Sequence, residues 1–235
     1  MKIKSFFCIV VFLFVSGCAT TYRANKSFSV YFDKPKAIVV MPIDVKMNQV
    51  TAGGVTELMD EWTDEAKKNI TLALKDEFGA IENVRLTFID ERNLSSGQKD
   101  FLKSQQGLFN SVADSIFIHT YNPVFTFPHK IKNFDYTMGT EFSQMASVMP
   151  ADAYLFCQGV NHIWTGGRVC LAVVAAIAGV EILPHPEWFV LSLVDAKTGD
   201  VVWFDSVDQQ GDLRGLDLDH ALVRRLLNNF PRRMR

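Results

Sequence analysis

Residues 187–207 hold two runs of β-branched and aromatic residues separated by a short turn sequence. Runs of that composition favour β-strands. The turn at residues 195–199 is typical of a tight hairpin, because Asp195 can accept hydrogen bonds from the backbone two residues on and Gly199 can adopt a positive φ. A two-stranded hairpin is not stable alone in water. The rest of the chain must therefore supply further strands or helices that pack against it.

The first residues predict a secretory signal peptide. Lys2 and Lys4 form a basic start, residues 6–15 are apolar almost without interruption, and small residues follow. The apolar run is too short for a spanning helix, which needs roughly 20 residues. We therefore expect residues 1–17 to be removed from the mature protein.

Residues 15–18 resemble the lipobox of bacterial lipoproteins, in which the cysteine becomes the lipidated first residue. That residue is Cys18 here. The resemblance implies acylation of Cys18, with palmitate among the chains, and Ala19 in place of an aspartate implies an outer-membrane destination facing the periplasm. A diacylglycerol and an amide-linked chain together supply the two anchors that stable membrane attachment needs. The alternative is an ordinary secretory signal with an incidental cysteine.

The composition is that of a folded globular protein, with 48% hydrophobic and 21% charged residues. Loss of the signal peptide makes the chain more acidic than its formal net charge of −2, which predicts no nucleic-acid partner. Residues 18–34 are polar and mixed, so we predict a lipid anchor and tether that gains structure only near residues 28–32. Residues 35–235 have the length of one periplasmic α/β domain.

The beginning of this domain predicts a βαβ unit. Residues 36–42 form a short apolar run ended by proline, which is typical of a buried strand, and residues 44–55 predict a loop. Residues 56–78 have an apolar residue at every fourth position, as in an amphipathic helix. The next strand is predicted over residues 84–90. A strand, a helix and a strand in this order should place the two strands parallel.

A second long helix is predicted over residues 98–120, and a short one, capped by Thr140, over residues 142–149. The predicted apolar face of the long helix comprises Phe101, Leu102, Gln105, Leu108, Val112 and Ile116. Residues 121–136 are rich in proline and phenylalanine and predict an unusually long loop. Its aromatic side chains either cap the core or form a partner-binding loop.

Residues 166–183 follow a long strand predicted over residues 152–164 with a bulge at Gly159. This segment is apolar without interruption from Val169 to Val180, yet at about 15 residues it is short for a spanning helix. We predict a buried or interface helix between two strands. The alternative is insertion into the outer membrane or burial between subunits of an oligomer. An apolar segment of this kind has to be covered by something.

The end of the chain predicts a helix over residues 217–230 with Asp217 as its N-cap and Pro231 as its end. Its predicted buried stripe is Leu218, Leu222, Leu226 and Phe230. Several arginines make this end basic: Arg224, Arg225, Arg232, Arg233 and Arg235. They either complement the helix dipole or bind an anionic partner.

A search for catalytic residues identifies none. No two histidines are four residues apart on a helix, none adjoins a cysteine at metal-ligand spacing, and no nucleophile elbow occurs. His162 is the least ordinary histidine, and we predict a satisfied residue near a sheet edge. Cys157 and Cys170 are predicted to be buried free thiols, and a disulfide between them, formed in an oxidising periplasm, is the alternative. Five aspartates are predicted on turns or the solvent face: Asp195, Asp200, Asp205, Asp208 and Asp212. We therefore expect no enzyme, no cofactor and no metal.

Three motifs together resemble the periplasmic lipoproteins related to the curli secretion channel CsgG, a group that includes LpoB and PelC. Residues 89–94 are similar to the group's Asp-Arg junction after the second strand, residues 150–159 to the start of a central strand, and residues 193–203 to its Thr-Gly hairpin. The resemblance implies a mixed sheet with helices on both sides, as in the amino-terminal domain of TolB. It also implies a non-catalytic accessory or assembly role with protein partners in the envelope.

This chain differs from the channel-forming member of that group. It lacks two alternating segments of roughly ten residues that would form a membrane β-hairpin, so we predict no pore. The alternative function is an oligomeric subunit of a secretion or export complex that contacts the membrane through residues 166–183. The sequence leaves open the protein partner and the formation of a homo-oligomer.

Overall fold

A mixed, eight-stranded sheet forms the centre of the described structure. The computed structural model describes residues 22–208 and 211–230, so the signal peptide and Cys18 lie outside the described residues. The strands are β1 (Arg23–Ala24), β2 (Lys36–Val40), β3 (Asp44–Val50), β4 (Thr56–Leu58), β5 (Val84–Phe88), β6 (Ala153–Trp164), β7 (Trp188–Asp195) and β8 (Val201–Asp208).

The long strand β6 organises this sheet. On one edge its first half runs parallel to β2 and its second half parallel to β3, and Pro42 lies in the break between those two strands. On its other edge β6 pairs antiparallel with β7, which pairs antiparallel with β8. The predicted parallel pairing of the strands around the first long helix is confirmed, since β2 and β5 are parallel neighbours.

The helices cover both faces of the sheet, as the mixed α/β fold class predicts. They are α1 (Phe28–Tyr31), α2 (Asp60–Gly79), α3 (Ser96–Ile116), α4 (Pro128–Lys132), α5 (Gly166–Ile177) and α6 (Leu216–Leu226). One core lies between the sheet and α1, α2 and α6. A second core lies between the opposite face and α3 with the 3₁₀ helix Thr140–Ser147. A π-helical turn, Phe117–Tyr121, extends α3, and the 3₁₀ helix Leu227–Asn229 extends α6.

The loop predicted over residues 44–55 is wrong for its first part. Residues 44–50 form β3, and the chain turns at residues 51–55 before β4 pairs back onto β3. In β3 the buried Val45 and Met47 alternate with the polar Asp44 and Lys46. That alternation is typical of a strand, but the polar residues made the segment resemble a loop.

For two helices, the sequence predicted the wrong residues on the buried face. In α3 Phe109 is fully buried, whereas Leu108, predicted on the apolar face, is 41% exposed. In α6 Leu218 is exposed as well. Adjacent residues on a helix differ by about 100° in direction, so one position decides which of two neighbours faces the sheet.

Both predicted helix caps were also wrong. α6 begins at Leu216 with Gly215 as its N-cap, and Asp217 lies in the first turn. Thr140 is the first residue of its 3₁₀ helix and provides no cap, because Gly139 precedes it there.

The folded domain begins before residue 35, which corrects the predicted extent of the tether. β1 pairs with β8, and Phe28 and Phe32 are buried in the core. The Phe28 ring stacks on Trp203 at 6.3 Å, and the Phe32 ring lies 4.7 Å from Phe230. Burial of two phenylalanines stabilises this segment against the domain by several kcal/mol, at about 1.5–3 kcal/mol each. The predicted structure near residues 28–32 is therefore part of the core.

The predicted hairpin is confirmed. The Asp195 carboxylate accepts hydrogen bonds from the backbone N–H groups of Lys197 at 2.9 Å and Thr198 at 2.8 Å. Gly199 has φ +75°, and its carbonyl accepts a 2.7 Å bond from the Met138 N–H. The strand irregularity lies between Leu193 and Val194 in the β7–β8 pair.

The bulge predicted at Gly159 is wrong. Gly159 pairs in continuous register with Phe189 of β7 on one side and Val45 of β3 on the other. A Cβ at this position would lie 2.8 Å from the Phe189 ring and 2.9 Å from the Trp188 carbonyl oxygen. The absence of a side chain at Gly159 therefore allows β7 to pack closely against β6.

Candidate interaction surface

α5 is an apolar helix that the rest of the described structure leaves exposed. It follows β6, and the Thr165 hydroxyl caps its first turn by accepting a hydrogen bond from the Arg168 N–H at 3.2 Å. None of its residues is buried. Its exposed large apolar residues are Val169, Leu171, Val173, Val174 and Ile177, the last of these 84% exposed. The predicted burial of this helix between two strands of the same chain is therefore wrong.

The exposed apolar surface continues beyond α5. Val180 and Leu183 are exposed in the irregular segment that leads to β7, and Val55 is exposed in the turn between β3 and β4. Arg168 connects this turn to α5 by donating a 3.4 Å hydrogen bond to the Ala52 carbonyl oxygen. We call α5, residues 178–183 and Val55 the apolar end of the domain. Within residues 22–208 and 211–230, no helix has the length and apolar character needed to cross a membrane.

A cleft of about 950 Å³ opens beside the apolar end. It lies between the last turn of α3, the end of β6 and the segment that enters β7. Its lining includes the aromatic residues Phe117, Trp164 and Trp188 and the carboxylates of Asp114, Glu187 and Asp208. Among the described residues that line it, none is a lysine or an arginine. A wall of aromatic rings and carboxylates suits a partner's basic or apolar side chains.

Two histidines lie at the mouth of this cleft. The His162 and His185 rings are 5.1 Å apart, and His162 Nδ1 lies 3.1 Å from the Pro186 carbonyl oxygen. Burial, with a smaller effect of His185, lowers the pKa of His162. Burial raises the pKa of Glu187, whose carboxylate accepts a 3.1 Å bond from the His162 N–H. These contacts are consistent with the predicted satisfied histidine near a sheet edge, because His162 pairs with β3 but lies beyond the last β6–β7 pair, at Val160.

The described residues do not assemble a metal centre. In that part of the chain, no three histidine, cysteine, aspartate or glutamate side chains are grouped so that they could hold an ion. The structure brings His162 together with His185, a residue that the sequence did not single out.

The two cysteines of the domain have different environments. Both are free. Cys157 is buried in β6, and burial raises the pKa of its thiol well above the usual value. Cys170 is exposed on α5, so its predicted burial is wrong. An exposed thiol on α5 and a buried one in the sheet differ strongly in their access to thiol reagents.

In the long segment predicted as a loop over residues 121–136, some aromatic side chains cap the core and others are exposed. Phe134 and Tyr136 are buried and cap the second core. Phe125 and Phe127 are 59% and 52% exposed, and the short helix α4 interrupts the segment. The His119 ring stacks on Phe127 at 4.2 Å. The segment therefore presents a small exposed aromatic group.

The aspartates near the hairpin are less uniform than predicted. Asp205 is buried in β8, where the sequence placed a solvent-facing residue. Asp212 pairs with Arg214, whose guanidinium lies 2.5 Å away and lowers the pKa of this carboxyl.

At the end of α6, Arg224 forms a 2.8 Å ion pair with Glu77. Arg232, Arg233 and Arg235 lie outside the described residues.

Asp219 is a residue that the sequence reasoning missed. It is fully buried in α6, and neither of its carboxylate oxygens has a hydrogen-bond partner within the described protein. Burial, with a contribution from Asp212, raises its pKa to about 8. A sequence signal was present, because Asp219 lies three, four and seven residues before the buried Leu222, Val223 and Leu226.

Comparison with known proteins shows distant likenesses to solved lipoprotein structures. No protein-family model matches the chain, and no curated protein matches it. The LpoB C-terminal domain from Salmonella enterica is similar over 80% of this chain and 96% of that chain, with 13% identity and a TM-score of 0.31. Lipoprotein GNA1162 from Neisseria meningitidis is similar over 83% of this chain and 96% of that chain, with 13% identity and a TM-score of 0.33.

Proposed function

We propose that this chain is a non-catalytic outer-membrane lipoprotein, related to the CsgG group, that acts as an accessory or assembly factor and binds protein partners in the periplasm. The observation that carries the proposal is the lipobox-like sequence at residues 15–18, placed directly after a basic and apolar signal sequence. Cys18 would then carry the acyl chains that hold the protein at the membrane.

The short connection between Cys18 and the sheet supports a role close to the membrane. β1 starts at Arg23, so four residues separate the cysteine from the first strand. Five residue steps span at most about 17 Å when fully extended. A partner of the anchored domain is therefore engaged near the membrane surface.

The cleft beside the apolar end supports partner binding. Aromatic side chains are enriched in protein interfaces because they bury a large area and lose little conformational freedom. Trp164 and Trp188 lie in the cleft together with carboxylates, and Phe125 and Phe127 add exposed rings elsewhere on the surface. This arrangement suits recognition of a protein surface with basic and apolar groups.

Lipidation is tested by labelling cells with radioactive or clickable palmitate. The wild-type protein is expected to take up the label and Cys18→Ser to lose it, because the acyl chains are attached at that residue. Cys170→Ser is the matched control and should be labelled like the wild type, since Cys170 lies on α5 of the folded domain. Equal labelling of wild type and Cys18→Ser would refute the proposed anchor.

Partner binding at the cleft is tested by photo-crosslinking in intact cells. A benzophenone amino acid at Pro184, on the rim of the cleft, is expected to give a discrete adduct with an envelope protein. The same group at Lys26 is the control, because Lys26 is exposed just before α1, away from the cleft. Equal adducts from both positions, or none from Pro184, would count against the cleft as the partner site.

A second candidate function is an oligomeric subunit of a secretion or export complex that contacts the membrane through residues 166–183. The exposure of α5 favours it, since such a surface has to be covered in the cell. The crosslinking experiment separates the two candidates. An adduct of twice the chain mass from Pro184 would favour the oligomer, whereas an adduct with another envelope protein would favour the accessory factor.

A further inference from the structure

The direction of β1 determines where the membrane anchor lies relative to α5. Arg23 pairs with Phe204, and β1 runs antiparallel to β8. β8 and β6 run in the same direction, because both pair antiparallel with β7. The chain therefore enters β1 from the end of the sheet at which β6 finishes with Trp164. α5 begins two residues beyond that end.

The maximum distance from Arg23 to Cys18 can be compared with the distance along β6 from the level of Arg23 to the start of α5. Arg23 lies level with Phe156 of β6, as the register through Phe204 and Ser192 shows. From that level β6 continues for about eight residues, on the order of 26 Å, to its end at Trp164. Cys18 can extend at most about 17 Å from Arg23. A membrane that holds Cys18 at this end of the sheet would therefore meet α5.

The chemistry of α5 suits the lipid interface. Arg168 is the only charged residue in α5, whose remaining residues are apolar or glycine, and Glu181 is the only charged residue of the segment 178–183. Twelve residues make a helix of about 18 Å, too short to cross the roughly 30 Å hydrocarbon core, so it can enter the membrane from one side only. At its base the Arg168 guanidinium lies over the Trp164 ring at 5.4 Å. Tryptophan and arginine are typical of the headgroup level.

A second copy of the chain is a poorer occupant of this surface. One face of a helix about 18 Å long and about 10 Å wide offers on the order of 200 Å². A stable protein interface buries about 800 Å² on each partner. A lipid contact that supplements an acyl anchor needs much less area, because the acyl chains already hold the protein at the membrane.

We propose that α5 and residues 178–183 insert into the periplasmic leaflet of the membrane that holds acylated Cys18, and that this second contact sets the orientation of the domain. The proposal rests on the proposed lipidation and adds a membrane-binding surface to it. It places the aromatic and acidic cleft next to the lipid headgroups, so that partners reach it from the side. The opposite end of the sheet, with α1 and the hairpin turn, then faces the periplasm.

The natural thiol on α5 provides the test. Cys170 is exposed and Cys157 is buried, so an environment-sensitive probe attached to the folded, purified lipoprotein reacts at Cys170. The labelled protein is reconstituted into vesicles of phosphatidylethanolamine and phosphatidylglycerol. We expect a blue-shifted probe that is quenched by lipids with bromine near the headgroup end of the acyl chain. Weaker quenching is expected from lipids brominated near the methyl end.

Two matched variants test whether the apolar side chains cause insertion. Val173→Asp/Ile177→Asp places charges on exposed positions of α5 and is expected to reduce the bromine quenching by at least about tenfold while the protein still floats with the vesicles. Val30→Asp changes an equally exposed valine on α1, at the other end of the sheet, and is expected to leave the quenching unchanged. Equal quenching in the double variant and the wild type would overturn the proposal.

Failure of membrane insertion and failure of lipidation give different results. Protein that carries palmitate and floats, but whose probe stays in water, overturns insertion and leaves the lipoprotein proposal intact. Protein without palmitate whose probe still responds to brominated lipid overturns lipidation and supports insertion. A probe that shifts without vesicles as the concentration of labelled protein rises, together with disulfide dimers through Cys170 in the unlabelled protein, assigns the surface to a second copy and overturns insertion.

Discussion

Gly199→Ala is expected to reduce the free energy of unfolding by about 2–5 kcal/mol. Gly199 has φ +75°, a conformation that costs an alanine roughly 1–2 kcal/mol. The added Cβ would also overlap the carbonyl oxygen of Gly139, which is backbone and cannot rotate away. Forced overlaps in packed regions cost about 1–3 kcal/mol more. The substitution therefore disturbs both the hairpin turn and the contact of residues 137–139 with it.

Two further glycines separate the two contributions, with urea unfolding as the measurement. Gly139→Ala has φ +84° and ψ 162°, a backbone region that is essentially restricted to glycine, but open space around the new methyl group, so a loss of about 1–3 kcal/mol from backbone strain alone is expected. Gly53→Ala has neither a positive φ nor a neighbour within 4 Å, so little change is expected. If Gly199→Ala lost no more than Gly139→Ala, the contact between these two segments would not constrain the hairpin.

The stability of the protein is expected to fall between about pH 5 and pH 8 because of Asp219. Its folded-state pKa is raised to about 8, whereas an aspartate in an unfolded chain titrates near 3.9. Between these values the folded protein holds a proton that the unfolded chain has released. The stabilisation is therefore complete below about pH 4 and lost as pH rises through 8. We expect a loss of about 2 kcal/mol, because the amino-terminal end of α6 partly offsets the cost of the charge.

Asp219→Asn tests whether Asp219 causes the loss of stability as pH rises. The neutral amide cannot ionise, so the variant is expected to exceed the wild type by about 2 kcal/mol at pH 8. Asp217→Asn is the matched control, since Asp217 is exposed in the same first turn and its replacement should leave the slope unchanged. Urea unfolding at pH 5, 6, 7 and 8 measures the slopes.

The contribution of Asp219 is the difference in slope between the wild type and Asp219→Asn, because two other groups also change the stability with pH. Burial lowers the pKa of His162, so its contribution to stability rises with pH, and it raises the pKa of Glu187, which acts in the opposite direction. Both contributions cancel between the wild type and Asp219→Asn. Equal slopes in these two proteins would show that Asp219 is ionised in the folded state.

The burial of the Asp219 carboxyl could not be predicted from the sequence. Its spacing from Leu222 and Val223 placed it on the buried stripe, yet an aspartate near a helix start usually faces water. Only the packing of α6 against the sheet revealed a buried carboxyl without a partner. The cleft was beyond prediction for a related reason: its walls come from α3, β6 and the segment before β7, which are distant in sequence.

Features that depend on neighbouring residues could be predicted from the sequence. The hairpin turn at Asp195 and Gly199 and the parallel pairing of β2 and β5 follow from turn chemistry and apolar periodicity. The surface that each element contacts became clear only from the packing of distant segments. That packing places Phe28 in the core, gives Gly159 a close neighbour in β7, and leaves α5 exposed at the end of the sheet where β6 finishes. Burial depends on contacts between distant segments, and local sequence does not encode them.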